Sequence, residues 1–341
     1  MRTLDFRSDT VTKPSKEMYA AMAAAEVGDD VLERDPTMDR LERKAAGMLG
    51  KEAALWAPTG CMSNLIGLMI HLKRGDKFLA PAKAHILGSE LDTAAWLALG
   101  MPEPLAWEGG PGKITPAQVL SAAGNPGPYY SLRTTLLCFE NTHNFAGGTC
   151  LNAAETKGLA LAAREKNLKV HLDGARVWHA SVATGDSLAD LCWGADTVSA
   201  CLSKGLGAPM GSVIAGSMGT IEEARRIRKM LGGGVRQGGV VAAAGLVALD
   251  QIPRLAEDHA SAARFAEGLV SLGFKLTKPE TNILFVQVPR PGEAMAMLES
   301  VGIRCLPVGA ALRFIAHRDQ QESDVSDALE RIKPIAEKLV S

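Results

Sequence analysis

The sequence predicts an α/β chain built on a mostly parallel sheet, and three observations carry that expectation. Short apolar runs of strand length alternate with longer amphipathic stretches from residue 37 to residue 249. Several runs end in polar or glycine-rich strings, and the carboxyl ends of parallel strands are where such sheets collect ligands. Glycine is abundant as well: 35 copies, about 10% against an ordinary share near 7%, many clustered where backbone must approach something closely.

In chain order, residues 37–49 predict a helix with Met38, Leu41, Ala45 and Met48 on one face. Strands are predicted at 53–56, 77–80, 134–139, 168–173, 197–202 and 212–215. After the first strand, Pro58-Thr-Gly-Cys-Met-Ser63 reads as a glycine turn leading into a helix whose Met62, Leu65, Ile66 and Met69 face inward. A helix over 238–249, stopped near Ile252-Pro253, closes this body. There follow a helix over 258–272, strands at 282–288 and 312–316, and a closing helix over 322–339. The expectation is therefore a large domain over 1–252 and a small C-terminal α+β domain over 253–341, with the first dozen residues joining one of the two bodies.

Charge and composition exclude several classes. Lys and Arg total 37 against 38 Asp and Glu, a net charge of −1, so there is no basic footprint for nucleic acid or an anionic membrane. The opening Met1-Arg2-Thr3-Leu4-Asp5 lacks the apolar stretch of a signal peptide, and the uncharged apolar-rich run 237–249, which opens with glycines, is too short to span a bilayer. The six cysteines are scattered without a Cys-x-x-Cys pair, which reads as reduced, mostly buried thiols; neither a disulfide framework nor a metal site is expected. A soluble, cytoplasmic protein is the expectation.

Three strings carry chemistry. His171-Leu-Asp-Gly-Ala-Arg176 is an apolar strand ending in an acid, and a carboxylate buried there needs a cationic partner. Ser203-Lys-Gly-Leu-Gly207 sets one lysine among small residues after another strand, where desolvation suits its amine to imine formation. The Gly60 turn opens a helix whose free N–H groups form a ready anion site. Acid, lysine and phosphate nest together describe a site for pyridoxal 5'-phosphate. A nicotinamide site is excluded, because Gly205-Leu-Gly207 is followed by Gly211 at the wrong spacing.

These strings, with Arg7-Ser-Asp-Thr-Val-Thr12, Val27-Gly-Asp-Asp30, Asp35-Pro-Thr37, Glu140-Asn-Thr-His-Asn144, Gly232-Gly-Gly-Val-Arg-Gln237 and Arg313, run in one order along the chain. In them the chain closely resembles the low-specificity L-threonine aldolases. That family belongs to the aspartate-aminotransferase-like, fold type I enzymes, whose large domain holds a mostly parallel seven-stranded sheet. The resemblance implies that Lys204 forms the imine with the cofactor and Asp173 pairs with its ring nitrogen. Gly60 and Cys61 would donate N–H groups to the phosphate, with Lys229 and Arg236 adding positive charge there, in reach from a neighbouring subunit. His85 would lie over the ring. Ser8, Arg176 and Arg313 would grip the substrate carboxylate, and Glu90 and His143 would face the substrate side. A homo-oligomer, a dimer of dimers, is implied too.

The implied reaction is retro-aldol cleavage of L-threonine, L-allo-threonine and related β-hydroxy-α-amino acids to glycine and an aldehyde. His85, His143 or a water between them are the candidates for the base. A phenylserine-preferring aldolase, or a β-eliminating lyase or racemase on the same fold, are the alternatives. The chain departs from the family pattern at Leu32-Glu33-Arg34, where Tyr-Gly-Asp is usual, at Cys61, where Thr is usual, and at Ser89, where an aromatic is common.

Overall fold

The structure, a computed structural model, describes residues 2–125 and 127–340. Its strands in chain order are β1 (Leu4–Asp5), β2 (Ala53–Ala57), β3 (Asp76–Pro81), β4 (Gly100–Leu105), β5 (Arg133–Glu140), β6 (Lys169–Asp173), β7 (Thr197–Cys201), β8 (Ser212–Gly216), β9 (Lys275–Leu276), β10 (Ile283–Gln287), β11 (Ile303–Arg304), β12 (Leu306–Val308) and β13 (Ala311–Ile315). Seven of them form one sheet in the order β2-β8-β7-β6-β5-β3-β4, with β8 alone antiparallel to its neighbours. The carboxyl ends of β2, β3, β5, β6 and β7 therefore meet along one edge.

Local chemistry fixes the elements around that edge. The helix Pro36–Met48 starts at Asp35, whose carboxylate accepts from the N–H groups of Thr37 and Met38, with proline tolerated in the first turn. Met38, Leu41 and Ala45 are fully buried, as the helical spacing predicts, while Met48 is half-buried. Thr59 caps the helix Gly60–His71 in the same way, accepting from Met62 N. Of its predicted inward residues Leu65 and Ile66 are buried and Met62 and Met69 half-buried.

A four-stranded antiparallel sheet, β12-β13-β10-β9, carries the second core. The first residues of the chain belong to this body: β1 pairs in parallel with β11, and Phe6 stacks on Phe265 at 4.9 Å and edges onto Phe314. The chain then returns to the large sheet, where Thr12 Oγ1 donates to the carbonyl of Lys204.

Several elements differ from the sequence expectation. β4 was not expected, because Pro102 and Pro104 argue against a strand; as the edge strand of the sheet it tolerates their missing N–H groups. The closing helix is broken near Pro334 into Glu322–Ile332, a 3-10 turn and Ala336–Val340. The helix expected over 258–272 starts earlier, at Leu255, and the helix Pro291–Ser300 is an addition. Among the described residues no single helix is long and apolar enough to cross a membrane.

Candidate active site

Each strand end delivers a polar group to the shared edge. β6 ends at Asp173, which is 2% exposed and accepts from Ala175 N at 3.1 Å and Asn64 Nδ2 at 3.0 Å. β7 leads through Leu202 and Ser203 to the half-buried Lys204, and β3 leads to His85. β5 ends at Glu140, whose two carboxylate oxygens hold the backbone N–H groups of His85 and Asn144 at 2.8 Å. That one acid therefore ties the His85 turn to the loop carrying His143 and Asn144.

β2 leads into the Gly60 turn. A Cβ on Gly60 would sit 2.5 Å from Cys201 Sγ, so only glycine lets the helix start against the end of β7. The backbone N–H groups of Gly60 and Cys61 have no partner among the described residues, since Met62 N and Ser63 N take the Thr59 cap. The Cys61 thiol is pushed up to about 11 by burial first and by the nearby Glu90 and Cys201, so it stands as a neutral group beside those donors. Unspent N–H donors at a helix start, a buried acid and a lysine fit a phosphorylated aldehyde cofactor with a protonated ring nitrogen. The residues present therefore suit pyridoxal 5'-phosphate.

His85 Nδ1 lies 2.7 Å from Glu90 Oε1, and despite burial this pairing raises the imidazole above its ordinary value. Glu90 does not present its bonded oxygen to a substrate: Oε1 is shared between His85 and Asn64 Nδ2, at 2.9 Å, and burial raises its carboxyl. Its other oxygen, Oε2, is buried without a partner among the described residues.

The opposite side of the site holds two arginines. Arg176 donates from Nε and Nη2 to the fully buried Asp9 at 2.8 and 2.7 Å, and from Nη1 to Asn144. Burial works against ionising Asp9, yet the Arg176 guanidinium holds it well below the usual carboxylate range. Arg313, on β13 and 9% exposed, differs: Nη1 reaches Asn144 Oδ1 and Nη2 the Arg7 carbonyl, its Nε is buried without a partner, and no carboxylate pairs with it among the described residues. Burial first, then the neighbouring Arg176, lowers it to about 10.

The remaining expected residues are placed as follows. Ser8 Oγ accepts from Thr10 N and approaches Asp9, starting the turn that brings Asp9 to Arg176. His143 is 1% exposed, lies edge-on to Trp107 at 5.3 Å, and has both ring nitrogens buried and unpartnered. Lys229 and Arg236 are exposed, Arg236 being paired with Asp29, on either side of a glycine loop whose Gly233 packs on Met62 at the start of the Gly60 helix. Leu32 and Ser89 are both exposed. Asp9, Asn64, Glu140 and Asn144 had no assigned role in the sequence reading. Asp9, Glu140 and Asn144 lie inside the strings that carry the resemblance, while Asn64 is detectable as an amide on an otherwise apolar helix.

The family model for the beta-eliminating lyases matches residues 5–290. A relative named as a probable low-specificity L-threonine aldolase 2, from Arabidopsis thaliana, is 41% identical over 96% of this chain and 96% of its own. The low specificity L-threonine aldolase of Escherichia coli O157:H7 is 40% identical over 95% and 96%. Among solved structures, a Leishmania major threonine aldolase matches with a TM-score of 0.82 over 99% of both chains at 20% identity, a likeness of fold.

Proposed function

The chain belongs to the beta-eliminating lyase family and within it to the low-specificity L-threonine aldolases, and from that premise we propose how its site works. The reaction is retro-aldol cleavage of L-threonine, L-allo-threonine and related β-hydroxy-α-amino acids to glycine and an aldehyde. Pyridoxal 5'-phosphate, when bound, supplies an electron sink for the pair left on Cα as the Cα–Cβ bond breaks. Lys204 is the residue that would carry it, Asp173 would take its ring nitrogen, and the N–H groups of Gly60 and Cys61 its phosphate. His85 would lie against its ring, and Lys229 and Arg236 would add positive charge beside the phosphate.

The observation that carries the reading is Arg313, a buried guanidinium without a carboxylate of its own. An unpaired buried cation is costly, and the α-carboxylate of an amino acid is the partner that completes it. Arg176 is already held by Asp9, so it orients the clamp through Asn144, the oxygen both arginines share. Ser8 shapes the same wall. The clamp fixes the substrate so that the Cα–Cβ bond can align for cleavage. The β-hydroxyl proton goes to His143, whose ring nitrogens are free, with His85 as the second candidate because Glu90 occupies one of its nitrogens.

We extend the reading to a homo-oligomer, a dimer of dimers. Val31, Leu32 and Met230 are exposed apolar side chains around the glycine loop between Lys229 and Arg236, and burying them against a second copy would remove that surface from water. Six unpaired cysteines fit a reducing cytoplasm.

The test follows aldehyde release from L-threonine, L-allo-threonine and L-phenylserine together with the visible band of the bound cofactor. Both are expected in the parent protein and both should vanish in Lys204→Ala. A band without release of glycine and aldehyde would instead favour a β-eliminating lyase or racemase.

A further inference from the structure

A line of buried polar groups runs through the large sheet behind Asp173. Asn64 Nδ2 contacts Asp173 Oδ2 at 3.0 Å and Glu90 Oε1 at 2.9 Å, and Asn64 Oδ1 lies 3.2 Å from His171 Nε2. His171 Nδ1 is 2.8 Å from Thr197 Oγ1, which is itself 2.9 Å from His71 Nε2. The helix Gly60–His71 supplies Asn64 and His71 from one face: Gly60, Asn64, Gly67 and His71 recur at helical spacing. Gly67 makes room for the chain, since a Cβ there would sit 2.5 Å from the His171 ring.

The direction of every hydrogen bond in the line follows from its acidic end. An ionised carboxylate only accepts, so the Asn64 NH₂ group must face Asp173 and Glu90. Asn64 Oδ1 then accepts from His171 Nε2–H, which leaves Nδ1 bare to accept from the Thr197 hydroxyl. Thr197 in turn accepts from His71 Nε2–H. No member can be turned round without setting two acceptors or two donors against each other. Burial, which lowers both imidazoles to about 4, agrees with neutral rings. The other titratable groups facing the line are His85 beside Glu90, Cys138 from β5, Cys201 and Lys204 from the end of β7, and Asp196 and Lys169 beyond His71.

We propose that His171, backed by Thr197 and His71, is a positioning residue that locks the Asn64 amide in one orientation and so holds the Asp173 carboxylate fixed toward the cofactor's ring nitrogen. A free amide would rotate and could present its oxygen to the two acids. Locked, it keeps Asp173 and Glu90 apart with a neutral donor between them. The inference rests on Asp173 being the partner of that nitrogen.

The test loads the holoenzyme and its variants with pyridoxal 5'-phosphate and measures the cofactor dissociation constant and the visible band. His171→Leu removes the donor to Asn64 and is expected to weaken cofactor binding at least tenfold and to change the band. His171→Gln, whose amide can donate to Asn64 Oδ1, should recover most of both. Thr197→Val, a change of similar shape three links from Asp173, should weaken binding two- to fivefold with the same spectral direction.

A His171→Leu protein that melts lower but keeps parental affinity and band overturns the proposal. If His171→Leu does not fold, Thr197→Val decides alone, and parental affinity and band in it overturn the proposal. A parent protein without a band overturns the reading of Asp173 itself, an outcome distinct from a parental band that the variants leave unchanged.

Discussion

The two halves of the site are built on opposite principles. The cofactor half, at the carboxyl edge of the large sheet, ties its buried acids to neighbours: Asp173 and Glu90 share the Asn64 amide and Glu90 takes His85, through hydrogen bonds of 2.7 to 3.0 Å, although Glu90 Oε2 has no partner among the described residues. The clamp half, between β13 and the first residues of the chain, keeps one buried guanidinium, Arg313, with no carboxylate paired to it among the described residues. Buried polar groups are ordinarily paired, so the exception marks where a ligand supplies the missing charge. A half whose acids are tied holds something resident, and a half with an unpaired cation waits for something that comes and goes.

That contrast can be broken first at Asp9. Asp9→Asn removes the carboxylate bonded to Arg176, the only one paired with it among the described residues, and the protein should lose about 3–5 kcal/mol of stability, the cost of stranding a buried charge. Denaturant unfolding checks this. A loss under 1 kcal/mol would mean that Arg176 is as open to a ligand as Arg313.

Arg313→Leu should behave in the opposite way. With no carboxylate to strand, the protein should melt at the parental temperature or above it, while kcat/KM for L-threonine falls about 100-fold, mostly through KM. Lower stability in this variant would show that the clamp is paired without substrate.

Acid should weaken the cofactor half through its buried histidines, with the lowered His179 and His259 adding to the same slope from beside Asp9. His71 and His171 are held at about 4 by burial, below the ordinary value of about 6.5, so the unfolded chain binds protons more readily than the folded one. Their contribution is complete above pH 6.5 and is lost as pH falls toward 4, about 1 kcal/mol per histidine by pH 5.5. Asp9, lowered by Arg176, keeps its charge through that window. Melting temperature against pH from 7 to 5 checks the slope, and replacing His171 with Gln should flatten it.

The smallest effect concerns the substrate side chain. Ser89 and Leu32 stand where the family usually has aromatic residues, and both are exposed. If they border the pocket, kcat/KM for L-phenylserine should exceed that for L-threonine several-fold. Equal or lower efficiency would remove these positions from the specificity argument.

The cofactor half was far more legible in the sequence than the clamp. Six strands of the large sheet were predicted because β-branched and apolar runs stop at polar strings, and those strings are the site. β4 escaped because an edge strand obeys looser rules than a central one. The clamp depends on pairs far apart in sequence, Asp9 with Arg176 and Arg313 with Asn144, which no local pattern encodes. Glu90 shows the same limit within five residues: its position is visible in the sequence, but its bond to Asn64 on another element is not.

The pairing of β1 with β11 also ties the clamp to a distant seam. Leu4 pairs with Ile303, and Phe6 packs on Phe265 and Phe314, so the segment that carries Asp9 is anchored on the second core before it reaches Arg176. A change that loosens that seam, remote from either arginine, should therefore reach the clamp through the placement of Asp9.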